Sequence, residues 1–391
     1  MKFSKIALIA SALLLSGCTV SDYRRIVQVA QNPSSEAVRQ IAVDRAITYA
    51  ANPSQFEKDV AHIRKNYIET LLNFRRAVIE VWGEEDIVEP SPKDYVKYTD
   101  NYKSRAHIDF EKGMIRVETI DDSNPKTALQ KAIVTTLLTP DDPTKIDLYS
   151  AQEIKLEGTP FLAGQVKDYD GKIVLYSWRA NRYADMLIDK VLQTKKQKNK
   201  TIYYVDFAME QNALDTRAAR YSAYVNEFAK KFNVEKSLVY AIIEAESSFN
   251  PYAVSHVPAY GLMQIVPSTA GVDSMVHVKG VKQIPSKQYL FNAKNNIELG
   301  TGYLNLLQTR YLKDIAHPLN KEYAVISAYN TGAGNVLRTF DANRAKAFSK
   351  INTYAPQRLY EKLINDLPYA ETRRYLQKVT NNKKKFIIYE G

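Results

Sequence analysis

Leu238-Val239-Tyr240-Ala241-Ile242-Ile243-Glu244-Ala245-Glu246, running into Ser247-Ser248-Phe249-Asn250-Pro251, is the stretch on which the reading of this chain turns. Leu238, Val239, Ile242, Ile243 and Glu246 fall at three- and four-residue spacings, so they share one face of a helix expected from about Glu235 to Ser247. The Ser-Ser-Phe-Asn-Pro run breaks that period and puts Glu246 in the last turn. A carboxylate on an apolar stripe is costly to ionise without a partner. Burial and the negative end of the helix dipole both raise its proton affinity. A glutamic acid that keeps its proton near neutral pH can serve as a general acid. On position alone, a paired structural carboxylate is the commoner outcome. Glu244, about 200° away around the helix, reads as solvent-facing.

Three further blocks follow: Gly261-Leu262-Met263-Gln264-Ile265-Val266-Pro267-Ser268-Thr269-Ala270, then Ala328-Tyr329-Asn330-Thr331-Gly332-Ala333-Gly334, then Pro368-Tyr369-Ala370-Glu371-Thr372-Arg373-Arg374-Tyr375. With the block starting at Glu246, they resemble in identity and order the family 1 lytic transglycosylases, relatives of goose-type lysozyme. The resemblance covers about Arg217 to Lys378. It implies a mainly α, lysozyme-like catalytic domain of the goose-type or soluble lytic transglycosylase kind. The implied reaction cleaves the β-1,4 bond between N-acetylmuramic acid and N-acetylglucosamine in peptidoglycan. Glu246 would protonate the glycosidic oxygen and then, as carboxylate, take the proton of the muramic C6 hydroxyl, giving a 1,6-anhydro sugar.

By the same resemblance, the hydroxyls of Ser255 and Tyr329 contact the acid or the substrate's N-acetyl group. Gln264 suits a sugar amide, Asn330 is a glycan contact, and Glu371 is a cleft acid. Met263 either lines the pocket behind Glu246 or simply packs in the core. Tyr369 and Tyr375 either wall the groove or pack. The run Ser255-His256-Val257-Pro258-Ala259-Tyr260-Gly261 departs from the family pattern and leaves the groove wall at Tyr260 open. Ordinary glycosidases use two carboxylates. After Glu246 the next acid in sequence is Asp273, and Glu371 stays open as a carboxylate brought close by folding. Two rival readings stand beside the lytic one: a water-using muramidase, and a non-enzymatic glycan-binding lipoprotein.

The N-terminus supplies the compartment. A short basic segment, Met1-Lys2-Phe3-Ser4-Lys5, leads into ten residues from Ile6 to Leu15, too few to span a bilayer as a helix. Leu15-Ser16-Gly17-Cys18 resembles the lipobox of bacterial lipoproteins, and Cys18 is the chain's one cysteine. Residues 1–17 are expected to be a lipoprotein signal peptide, with Cys18 acylated and residues 18–35 a tether. Thr19 in place of Asp favours the outer membrane, with the protein facing the periplasm.

Residues 36–210 read as an α+β N-terminal domain of unknown role, and residues 211–391 as the catalytic domain. Helices are expected over Glu36–Ala51 and Ser54–Glu84, the second with Ser54 as N-cap and a stripe of Val60, Ile63, Tyr67, Leu71, Phe74, Val78 and Val81. Pro90, Pro92 and a polar run to Ser104 end the helical pattern, and a strand-like region follows. Alternation around Ala106–Phe110 and Ile115–Thr119 predicts a hairpin, and Asp170-Gly171 a second one. Lys126–Leu138 and Tyr183–Gln193 read as helices, Lys195–Lys200 as a solvated loop, and Thr201–Phe207 as an edge or closing strand.

Charge divides unevenly. Residues 1–210 carry 30 basic and 29 acidic groups, whereas residues 211–391 carry 24 and 14. A basic catalytic half attracts an anionic polymer, and in the periplasm that is peptidoglycan rather than nucleic acid. Lys383-Lys384-Lys385 reads as a solvated tail. The five histidines show no metal-ligand spacing, so no metal or cofactor is expected. Partner enzymes of the cell wall are not legible.

Overall fold

A computed structural model describes residues 53–198 and 200–390. The signal peptide, Cys18, the tether and the helix expected at 36–51 lie outside the described residues. The first described element is α1 (Pro53–Trp82), 30 residues or about 45 Å long. Proline occupies its first position, where no N–H is needed, so Ser54 lies inside the helix rather than capping it. Its expected stripe faces inward at Tyr67, Phe74 and Val78. Phe74 and Trp82 meet Tyr98 edge-on, while Tyr67 meets Tyr260, so one helix braces both halves of the chain.

The N-terminal half holds one antiparallel sheet in the order β1-β2-β3-β5-β4. The strands are β1 (Asp94–Thr99), β2 (Ser104–Asp109), β3 (Met114–Thr119), β4 (Gln193–Gln197) and β5 (Lys200–Ala208). Helix α2 (Pro125–Leu138) covers β2 and β3 and pairs with α3 (Ser177–Val191). The hairpin predicted around Lys112-Gly113 is present, in the register Ile108–Ile115 and Ala106–Val117.

Three expectations need correction. The strand-like region starts before Ser104: Asp94–Thr99 is a strand with Tyr95, Val96 and Tyr98 buried, and the flanking prolines and polar residues masked it. The lysine run supplies edge strand β4, and β5 is therefore interior, between β3 and β4. An edge strand with water on both sides has no alternation to read, and lysines protect it from further pairing. Asp170-Gly171 does form a turn, but its arms share a single bridge, Lys167 to Ile173, and are not strands.

The rest of the chain is helical: α4 (Ala213–Arg220), α5 (Ser222–Phe232), α6 (Lys236–Ser247), α7 (Ala293–Leu306), α8 (Pro318–Thr331), α9 (Ala333–Arg338), α10 (Arg344–Asn352), α11 (Pro356–Asp366) and α12 (Ala370–Phe386), with short helical turns between α6 and α7. Helix α6 runs through the middle and is buried along nearly its whole length, with α12 lying against it. Both faces are thus covered. Glu244, expected in solvent, is 9% exposed and receives the Lys385 ammonium at 2.7 Å. Nor is the C-terminal lysine run a free tail: Lys383 pairs with Glu235 and Glu322, so these lysines pin the end of α12 to α6 and α8.

Candidate active site

Glu246 stands one residue before the end of α6 and is half-buried. The helix stops because Ser248 (φ 51) and Phe249 (φ 61) both take the left-handed conformation. Two adjacent non-glycine residues there are costly, so the surroundings must hold them. They do so by contacts to the sheet half of the molecule. Arg217 on α4, 4% exposed, donates from Nε to Ser248 O (2.9 Å), from Nη1 to Gln165 Oε1 (3.0 Å) and from Nη2 to Phe110 O (3.2 Å). Asn250 Nδ2 donates to Pro92 O at 3.1 Å, Tyr252 OH to Pro140 O, and Tyr67 OH to Ser255 O at 2.5 Å. The loop after Glu246 is therefore seated on the sheet half by four side chains. No spacing in the sequence announces these contacts.

The carboxyl itself meets α12. Tyr375 OH donates to Glu246 Oε1 at 2.6 Å, and Tyr375 is 8% exposed. Burial pushes the Glu246 carboxyl up to about 7; the Tyr375 bond and the ammonium groups of Lys93 and Lys378 work against that push, and the charge of Glu371 adds to it. A carboxyl poised there can give a proton to a leaving oxygen and take one back.

The other site residues of the sequence reading divide in two. Tyr329, Gln264 and Asn330 are partly buried, whereas Glu371 and Tyr369 are exposed. Tyr329 OH donates to Met263 O at 2.9 Å, and burial pushes its proton affinity up, with the Glu246 charge next in effect. Gln264, at φ 47, ties its Nε2 to Gly261 O at 2.9 Å, and its Oε1 is buried without a hydrogen-bond partner. Asn330 Oδ1 accepts from Thr372 Oγ1 at 2.6 Å, and Glu371 and Tyr369 are exposed at the start of α12.

Met263, Tyr260 and Ser255 face elsewhere. Met263 is fully buried, its sulfur seated on Gly300 of α7, where a Cβ would come within 2.3 Å of it. Its contribution to the site is its carbonyl, held by Tyr329. Tyr260 is 4% exposed between Tyr67 and Phe291, so its ring is core and not groove wall. Ser255 Oγ donates to Val257 O and accepts from Ala259 N at 3.2 Å; it makes no hydrogen bond to Glu246. The loop departs from the family pattern here, and its hydroxyl closes the turn instead.

Asn296 on α7 was not legible in the sequence. Fully buried, it accepts from Met263 N (2.8 Å) and donates to Tyr260 O and Leu290 O (both 2.8 Å), fixing the Gly261–Gln264 backbone. Gly261 (φ 76) lies against it, and a Cβ there would meet Asn296 Nδ2 at 2.4 Å.

Residues 56–220 match the family described as "Membrane-bound lytic murein transglycosylase C, N-terminal domain", and residues 223–352 match the "Transglycosylase SLT domain". The membrane-bound lytic murein transglycosylase C of Photorhabdus laumondii is 46% identical over 80% of this chain and 87% of its own. That of Yersinia pestis is 43% identical over 88% and 96%. This chain belongs to the lytic murein transglycosylase C family. It is a peptidoglycan lytic transglycosylase, built as an α+β N-terminal region followed by a mainly helical transglycosylase domain. Among solved structures, the 70 kDa soluble lytic transglycosylase of Escherichia coli is 26% identical over 44% of this chain, with a TM-score of 0.34; the match spans 24% of that longer protein.

Proposed function

We propose that this lytic transglycosylase cuts the bond between N-acetylmuramic acid and N-acetylglucosamine with Glu246 as both acid and base, and releases a 1,6-anhydromuramic end. The observation that carries this is the state of Glu246: half-buried, held by Tyr375 and poised near neutrality in a chain of this family. As acid it protonates the glycosidic oxygen while the C1–O bond breaks. The muramic C6 oxygen then attacks C1, and its proton passes to the Glu246 carboxylate. No water enters the product, so acid and base balance within one turnover. Gln264 and Tyr329 would serve the substrate's N-acetyl group, and Tyr375 holds the acid. Glu371, Asn330, Tyr369 and, through its loop, Ser255 form the rim of the glycan groove. Met263 and Tyr260 act from the core. The basic catalytic domain, from about residue 211, draws in the anionic strand.

Among the described residues no helix is long and apolar enough to cross a membrane. Membrane attachment through acylated Cys18, on the periplasmic side of the outer membrane, is supported by the Leu15–Cys18 motif and by the membrane-bound names of the relatives. Mass spectrometry of digested sacculi tests the reaction. Muropeptides lighter by one water than their hydrolysed counterparts are expected. Hydrated reducing ends alone would assign the chain to water-using cleavage, with Glu371 as the second carboxylate. For the anchor, Cys18→Ala should move the protein from the membrane to the soluble fraction, and a variant that stayed bound would remove the lipid.

A further inference from the structure

The N-terminal half reaches the acid through a charged cluster that spans the two halves. Lys93, just before β1, donates from Nζ to Glu111 Oε1 at 2.7 Å, and Lys378 on α12 donates to the same oxygen. Glu111 lies in the turn between β2 and β3. One carboxylate of the sheet half thus joins an ammonium of its own half to an ammonium of the catalytic half. Lys378 follows Tyr375 by three residues on α12, so the group that binds Glu246 and the group that binds Glu111 lie on one face. Lys93 has a side-chain exposure of 19%, where screening by salt is weak.

Lys93 and Lys378 share the one carboxylate of Glu111, so basic groups outnumber acidic ones in the cluster; burial lowers the pKa of Lys93. The groups acting on Glu246 are Tyr375, Glu371 and Lys378 from α12, Lys93 from the sheet half, and Tyr329 of α8, which lies within reach of its charge. Glu244, on its own helix, is taken by Lys385. Burial and Glu371 both favour the protonated acid, so without a cation Glu246 would hold its proton too firmly to work as the base that follows.

We propose that Lys93 is a positioning residue for the proton chemistry: bridged through Glu111 to Lys378, it places positive charge from the N-terminal half beside Glu246, so that the carboxylate survives until it collects the C6 proton. This gives the N-terminal domain a part in the reaction itself, and it rests on the assignment of Glu246 as the acid.

The test is the pH dependence of kcat/KM for the full chain on glycan strands with and without stem peptides. Lys93→Met and Lys378→Met should each move the alkaline limb up by roughly half a pH unit, because loss of a cation strengthens proton binding. Glu111→Gln should move it down, since the two ammoniums lose their counter-charge. Lys93→Arg should keep the wild-type limb. Variants that lose rate with every limb unmoved would reduce the cluster to a structural tie and overturn the proposal. So would a Lys93→Met defect confined to KM on stem-bearing strands, which would make Lys93 a binder of stem carboxylates. Failure of the underlying assignment is separate: it shows as turnover by Glu246→Gln, whatever the limbs do. Should Lys93→Met not fold, Lys378→Met and Glu111→Gln carry the same opposed shifts.

Discussion

Tyr375 and Glu246, 129 residues apart in sequence, share a 2.6 Å hydrogen bond in which the phenol donates to Oε1. This bond is a direct link between α12 and the acid, and it favours the charged carboxylate against burial. Tyr375→Phe should therefore raise the proton affinity of Glu246. A hydrogen bond to a charged group is worth about 1.5–3 kcal/mol, and part of it should appear as an alkaline limb of kcat/KM shifted up by about one pH unit. A rate loss with an unchanged limb would assign the phenol to packing alone.

The acid should weaken the fold that contains it. Its folded-state pKa, about 7, lies above the usual glutamate value, so between those values the folded protein binds more protons than the unfolded chain. The native state is then destabilised as pH rises through that window, by up to roughly 3 kcal/mol when it is passed. Glu246→Gln removes the penalty. The variant should match wild type in melting temperature near pH 4 and exceed it at pH 8. An equal gap at both pH values would mean that Glu246 titrates as an ordinary glutamate.

Arg217 holds three acceptors from separate segments, the nearest at 2.9 Å, while deeply buried, and burial lowers its own pKa to about 10. Arg217→Leu keeps the apolar bulk and orphans Ser248 O, Gln165 Oε1 and Phe110 O. Unpaired buried polar groups cost about 1–3 kcal/mol each before relaxation, so urea denaturation should show a loss of at least about 2 kcal/mol. Activity should fall further than the folded fraction does, because the left-handed turn behind Glu246 loses its clamp. Activity tracking the folded fraction would separate Arg217 from the site.

Gly300 admits the Met263 sulfur. Gly300→Ala would press a methyl into it and displace the segment whose carbonyl holds Tyr329. Overpacking of this kind costs about 1–3 kcal/mol, read as a lower melting temperature. A double variant, Gly300→Ala with Met263→Val, should recover part of the loss. Full tolerance of the single change would contradict the packing.

What the sequence made legible follows from how each feature is built. Glu246 was readable because a local period places it on an apolar stripe, and α1 and the β2–β3 hairpin were readable for the same reason. Glu244 was misread because the period argument assumes one wet face; α6 has none, and its partner Lys385 comes from 141 residues downstream. Strand β1 hid behind prolines, and β4 behind lysines with no buried side to alternate against. Lys93, Glu111, Arg217 and Asn296 act through contacts between distant segments, and nothing near them in sequence marks them. Met263 sits inside a motif that marks the site and Tyr260 borders it, yet the motif does not say which of its side chains point inward.

The most direct measurement is release of anhydromuropeptides from purified sacculi by wild type and by Glu246→Gln, with folding of both verified by circular dichroism. Wild type is expected to give products one water lighter than their hydrolysed forms, and the folded variant to give none above background. Anhydromuropeptides released at a substantial fraction of the wild-type rate by folded Glu246→Gln would contradict the single-acid mechanism.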